Sequence, residues 1–179
     1  MESVGFKEWA LVCEALGRGK QCILLRKGGI AEGQAGFAFR HPEFFLFPTS
    51  FHEQTAKVRI AAEVPISRPG EIEIKFMARI ERSTVVTSWE TALALEPWHV
   101  LHREVVQERF DYDKSPGLHV AAVRVFRLSQ SWLIPEIPAY GGCRSWVDLP
   151  DQPAGLTFKP VLDEAEHRER LRAVDVILR

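Results

Sequence analysis

The sequence carries no excess of charge of either sign: 23 lysines and arginines stand against 24 acidic residues, for a formal net charge of −1. That balance excludes a globally basic nucleic-acid binder and leaves room only for a local basic patch. No apolar run approaches the ~20 residues needed to cross a bilayer. The opening residues, Met1 to Glu8, hold no signal-type apolar stretch, so no membrane association is expected. Cysteine is scarce as well. Cys13, Cys22 and Cys143 are odd in number and lack a two-residue spacing, which argues against both a disulfide framework and a zinc knuckle. A reduced, cytoplasmic protein without structural metal is the expectation. Phosphate-loop signatures are missing too. Gly17-Arg18-Gly19 lacks a third glycine and precedes a strand, and there is no Gly-Lys-Ser/Thr.

What is present describes a globular chain. Hydrophobic residues make up 46% of the 179 and charged residues 26%, enough apolar material for a core without staples. Phe6, Trp9, Ala10, Cys13 and Leu16 recur at helical spacing and predict a first helix over about 3–16, which Gly17 stops. Cys22 to Leu25 reads as a short buried strand. Phe37–Arg40 and Phe44–Phe47 read as extended segments around His41-Pro42-Glu43, and residues 50–57 as one or two helical turns.

From Glu71 the alternation is regular, with Ile72, Ile74, Phe76, Ala78 and Ile80 expected on one face of a long strand. Ser88 is placed to cap a helix through Leu95, and a second helix is expected over Arg103–Phe110. Leu118–Leu128 follows as a strand. The Pro-rich stretch 129–160 reads as turns around a short extended Ser145–Leu149. A helix over about 163–178 closes the chain, with Asp163 and Glu166 at capping-box spacing. No linker or repeat divides the sequence. The expected fold is one α+β domain over 1–179, with a largely antiparallel or mixed sheet and peripheral helices. Trp9 is expected to pack on a sheet built from residues 22–25, 44–47 and 118–128.

Two Gly-Gly turns carry cations. Arg26-Lys27-Gly28-Gly29 leaves one strand and Gly141-Gly142-Cys143-Arg144-Ser145 enters another. Glycine lets backbone N–H groups converge on an anion, and lysine or arginine adds charge, so Lys27, Gly28, Gly29, Gly141, Gly142 and Arg144 form a candidate anion site. His52, after Pro48, is placed to close it from a third side. The plain alternative is two structural turns with solvated cations. Other constellations have equally plain readings. Glu73-Ile74-Lys75 has the spacing of a nuclease metal motif, but also that of a solvated strand face. His99 and His102, near Glu104, suggest a metal pair or, more simply, capping and surface residues. Cys143 beside Arg144 is either an activated thiol or a small residue after a turn.

Glu8-Trp9-Ala10-Leu11-Val12-Cys13-Glu14-Ala15-Leu16 and Ile23-Leu24-Leu25-Arg26-Lys27-Gly28-Gly29-Ile30 with Glu32 resemble the start of the bacterial domain-of-unknown-function family 1802. Phe44-Phe45-Leu46-Phe47-Pro48-Thr49 with His52 and Gln54, and Tyr140 to Trp146, fit the same pattern. Residues 57–80 match it least. The resemblance implies no activity or cofactor. Through shared architectures with restriction-type endonuclease domains, it implies a place beside nucleic-acid processing or defence.

Three functions stay open on the sequence. The first is an anion- or phosphate-binding accessory module whose partner is nucleic acid or a nucleic-acid-processing protein. It would use Lys27, Arg124, Arg144 and the glycine turns, with Trp146 or Tyr140 for stacking. The second is a small hydrolase or nuclease with His52, Glu32 and Lys27 in a closed pocket. The third is a protein-interaction module with a large exposed apolar patch.

Overall fold

One mixed sheet organises the chain. The computed structural model describes residues 2–27, 37–61, 65, 68–112 and 115–179. In chain order the strands are β1 (Val4–Trp9), β2 (Ile23–Arg26), β3 (Glu43–Thr49), β4 (Glu71–Val86), β5 (Leu118–Pro135), β6 (Trp146–Asp148) and β7 (Phe158–Pro160). The helices are α1 (Ala10–Gly17), α2 (Trp89–Ala94), α3 (Arg103–Phe110) and α4 (Glu164–Ile177). Three 3₁₀ turns, His52–Lys57, Glu96–Trp98 and Pro138–Tyr140, lie between them. The sheet order is β2-β5-β4-β3-β1-β6, with β7 on β5. β1 and β3 pair in parallel and the other pairs are antiparallel. The fold is α+β, as the patterning implied.

The start of the chain departs from the helical expectation. Residues 4–9 form β1, and the helix begins only at Ala10. Gly5 to Trp9 lie in register with Phe45 to Thr49. A Cβ on Gly5 would come within 3.0 Å of Val147 Cγ2, so the glycine lets β6 approach. Val4, Phe6 and Trp9 are good strand formers, and the sheet outweighs a helical spacing set mainly by the residues after them. α1 itself is buried on nearly every side. Gly17 ends it against the Phe76 ring, which a Cβ would meet at 2.0 Å. The buried Gln54 accepts the Leu11 N–H at 3.0 Å, which satisfies one of the orphan donors of the α1 N-terminus. Its amide group donates to Thr49 O and Phe51 O, so one side chain ties α1 to the turn after β3.

β4 also corrects the simple alternation. A register shift between Ile74 and Phe76 sends Ile72 and Ile74 into one core and Phe76 and Ala78 into the other. β5 runs on to Pro135 instead of ending at Leu128, because Trp132 and Ile134 pair with Ile74 and Ile72 and bury there. Residues 37–40 are irregular and not strand-paired. Alternate β3 residues serve opposite faces. Phe44 and Leu46 join the large core with Phe6, α1 and α3, whereas Phe45 and Phe47 join Trp132, Tyr140 and Leu149. The two Cys residues expected in packing, Cys13 and Cys22, are buried, and burial pushes the Cys22 thiol up to about 11.

The late helices match their sequence signals. Ser88 Oγ accepts from Thr91 N at 3.2 Å, and Asp163 accepts from Glu166 N at 2.8 Å. Val174 is fully buried, with Leu171 and Leu178 packed beside it.

Candidate anion-binding site

Where β1 ends, β2 ends and α3 passes, a cavity of about 250 Å³ opens. Its wall includes Trp9, Arg26, Lys27, Lys57, Glu108, Arg109 and Tyr112. Arg109 follows Val105 by one helical turn on the buried side of α3, so its guanidinium is carried inward with the apolar stripe. There it donates to Leu25 O at 2.7 Å and lies over the Trp9 ring, 4.7 Å from the centroid. Glu8, only 1% exposed, sits 3.7 Å from Arg109 and accepts the Trp9 N–H at 2.9 Å. Burial holds the Arg109 pKa below its ordinary value and Arg26 adds to this, while Glu8 opposes it.

Lys27 Nζ donates to Phe110 O at 3.3 Å and to Ser115 O, so it closes the C-terminal end of α3. Lys57 is 3.9 Å from Glu108, a loose and largely solvated pair. Among the described residues, four cations thus face Glu8 and Glu108, in a chain of net charge −1.

Arg26 connects this cavity to the second glycine turn. Its Nε donates to the buried Ser145 Oγ at 3.0 Å, and its guanidinium lies 5.6 Å from the Phe6 ring centroid. On that side Lys7 Nζ donates to Tyr140 O at 2.7 Å and Gly142 O at 2.8 Å. Gly142 takes a φ of +77°, which suits glycine. The turn therefore offers carbonyls to a lysine. Burial holds the Lys7 pKa below the ordinary lysine value, with Arg26 and Arg144 adding to the effect and Cys143 opposing it.

The sequence-predicted residues are distributed as follows. Lys27 is in the cavity wall. Gly141, Gly142 and Arg144 form the exposed turn beside Lys7, and Arg26 links the two groups. Gly28, Gly29, Glu32 and the His52 side chain lie outside the described residues. Arg124 is elsewhere, paired with Glu164 at 2.7 Å. Tyr140 is buried against Phe47, and half-buried Trp146 packs on Phe6 and Phe44. Neither has the open face that stacking would require.

His99 is not a surface residue. It is 3% exposed, its Nδ1 accepts the Leu101 N–H at 3.1 Å, and burial, then Arg59 and Arg109, push its pKa down to about 3. Lys75 bridges Glu14 at 3.2 Å and Glu73 at 3.3 Å, so the Glu-x-Lys spacing here serves ion pairing. Among the described residues, no group of three His, Cys, Asp or Glu side chains is placed to hold a metal ion.

Sequence reasoning missed Lys7, Lys57, Arg109 and Tyr112, and named Arg26 only as a cation of the first glycine turn. Arg109 had a usable signal, since it lies one turn beyond Val105 in a helix with only one apolar stripe. Lys7 had none, because its role depends on β1 being a strand.

An α+β domain with a cationic, aromatic-walled cavity at the strand ends is the class that fold and site define together. The chain belongs to the family described as a domain of unknown function, DUF1802, which matches residues 5–173. No curated protein matches it. Solved structures similar to it include ASCH from Zymomonas mobilis, at 13% identity over 97% of this chain and 95% of that one, with a TM-score of 0.48. Two mutants of that protein are similar at the same identity, with TM-scores of 0.48 and 0.44 and coverage of 96% and 99% of their chains. Likeness at this level carries no function to this chain. None of the described helices is long and apolar enough to cross a membrane.

Proposed function

We propose that this domain is a binding module for phosphate-bearing ligands and that it serves nucleic-acid processing. The observation that carries this reading is the set of cations held around one cavity, Arg26, Lys27, Lys57 and Arg109, with Arg26 continuing towards Lys7 and Arg144. Backbone carbonyls accept from Lys7, Lys27 and Arg109 and hold these side chains in place. The cations of the cavity wall outnumber the two carboxylates beside them among the described residues, which favours an anionic ligand. The buried carboxylate nearby is engaged: Glu8 faces Arg109 and the Trp9 N–H, whereas the exposed Glu108 is held only loosely by Lys57 at 3.9 Å. That favours binding over general-base chemistry.

The test is fluorescence anisotropy with a labelled oligonucleotide at about 50 and 200 mM salt, using the wild type, Lys57→Glu and Arg144→Glu. Binding should weaken steeply with salt, and each variant should weaken it at low salt, because every phosphate contact releases counterions. Absence of binding at low salt, or affinity unchanged in both variants, overturns the reading.

A further inference from the structure

We infer that the cavity takes one unpaired nucleotide of a single strand; this rests on the phosphate-binding reading above and narrows it to a substrate class. At about 250 Å³ the cavity is smaller than the ~300–1,000 Å³ typical of drug-sized ligands, and it has room for one planar group with its phosphate, not for a stacked base pair.

The wall is matched to such a unit. Tyr112 is 60% exposed at the cavity, an unusual position for a large aromatic ring and one that gains by covering a π face. Trp9 forms a second wall and is immobilised, with Arg109 over its ring and the Phe51 ring edge-on at 5.1 Å. Lys57 supplies charge for a phosphate. Glu108 supplies a carboxylate that can accept a hydrogen bond from an exocyclic amino group of a base. Inorganic phosphate would use the cations and leave both rings unused. A duplex would offer phosphates but keep its bases inside the stack. An unpaired nucleotide is the ligand that uses both halves of the wall.

The experiment titrates the full chain with three probes: a single-stranded decamer, the same sequence annealed to its complement, and inorganic phosphate. Tyr112→Ala, Tyr112→Phe and Arg144→Glu are compared with the wild type, and melting curves confirm that each is folded. The single strand is expected to bind at least tenfold more tightly than the duplex. Tyr112→Ala should lose about tenfold on the single strand and little on the duplex, and Tyr112→Phe should restore the loss, since stacking needs the ring and not the hydroxyl. Adenosine monophosphate should displace the decamer at concentrations where inorganic phosphate does not.

Equal affinity for strand and duplex, or no effect of Tyr112→Ala, overturns the nucleotide socket. If Arg144→Glu still weakens both probes in that case, the broader phosphate-binding reading survives. If none of the three probes binds, both fall.

Discussion

His99 and His167 are both nearly buried, but their neighbours differ. His99 is close to Arg59 and Arg109, and these arginines are fixed largely by carbonyl oxygens. Arg59 donates to Leu101 O, Glu96 O and His99 O, and Arg109 donates to Leu25 O. His167, on α4, lies 3.7 Å from Glu81, with Arg124 and Glu164 nearby. The arginines there are matched by acids: Arg124 with Glu164, Arg170 with Glu166 at 2.6 Å, and Arg82 with Asp175 at 3.0 Å. At α4 the acid partners are close, whereas around α3 the acids stand farther off, Glu8 at 3.7 Å from Arg109, Glu96 at 3.7 Å from Arg59 and Glu108 at 3.9 Å from Lys57, and carbonyl oxygens make the short contacts. The two regions carry similar residue types, and what they are bonded to separates a brace from a binding surface.

The largest way to break this comparison is acid. The folded-state pKa of His99 lies near 3, below the ordinary 6.5, so the unfolded chain binds the proton more readily. Its contribution is fully present above pH 6.5 and is lost as pH falls towards 3, reaching about 4 kcal/mol. Denaturant melts from pH 7 to pH 3.5 should show this slope. His99→Asn, which keeps an acceptor for the Leu101 N–H, should flatten it. The His167 pKa is also lowered, by burial first and by Arg124, with Glu81 and Glu164 opposing. The sign is therefore the same, and His167→Gln should flatten the curve less than His99→Asn.

Next in size is Arg109→Met, which leaves the Glu8 carboxylate buried without its partner. A loss of about 3 kcal/mol is expected in urea titration. Replacing Glu8 as well, in Glu8→Gln/Arg109→Met, should recover part of it. Asp163→Ala removes the side-chain cap of α4 and should cost about 1 kcal/mol by the same assay. The smallest stability effect belongs to Arg144→Glu, on an exposed turn. It should stay within about 0.5 kcal/mol of the wild type in thermal melts while oligonucleotide binding falls.

Local patterning revealed what depends on local physics. Ser88 and Asp163 marked helix starts because capping acts within three residues, and the last helix showed its docking stripe in Leu171, Val174 and Leu178. β1 was not legible, because its strand state comes from pairing with Phe45–Thr49, about 40 residues away. The change of face between Ile74 and Phe76 was hidden for a related reason: a bulge is an agreement between two strands and leaves no mark in one of them. Lys27 was singled out from its glycine turn, whose glycines lie outside the described residues. Arg26 was read only as a cation of that turn, since its bond to Ser145 crosses 119 positions.

The parallel β1–β3 pair also constrains the order of events during synthesis. β1 is hydrogen-bonded on one side to β3 and on the other to β6, whose residue Asp148 is made about 140 residues after Val4. At ~5–20 residues per second, roughly 7–30 s separate the two. For that interval one edge of β1 has its backbone N–H and C=O groups without their β6 partners. A chain that pauses between β3 and β6 therefore presents an unpaired strand edge to other nascent chains, a template for intermolecular pairing.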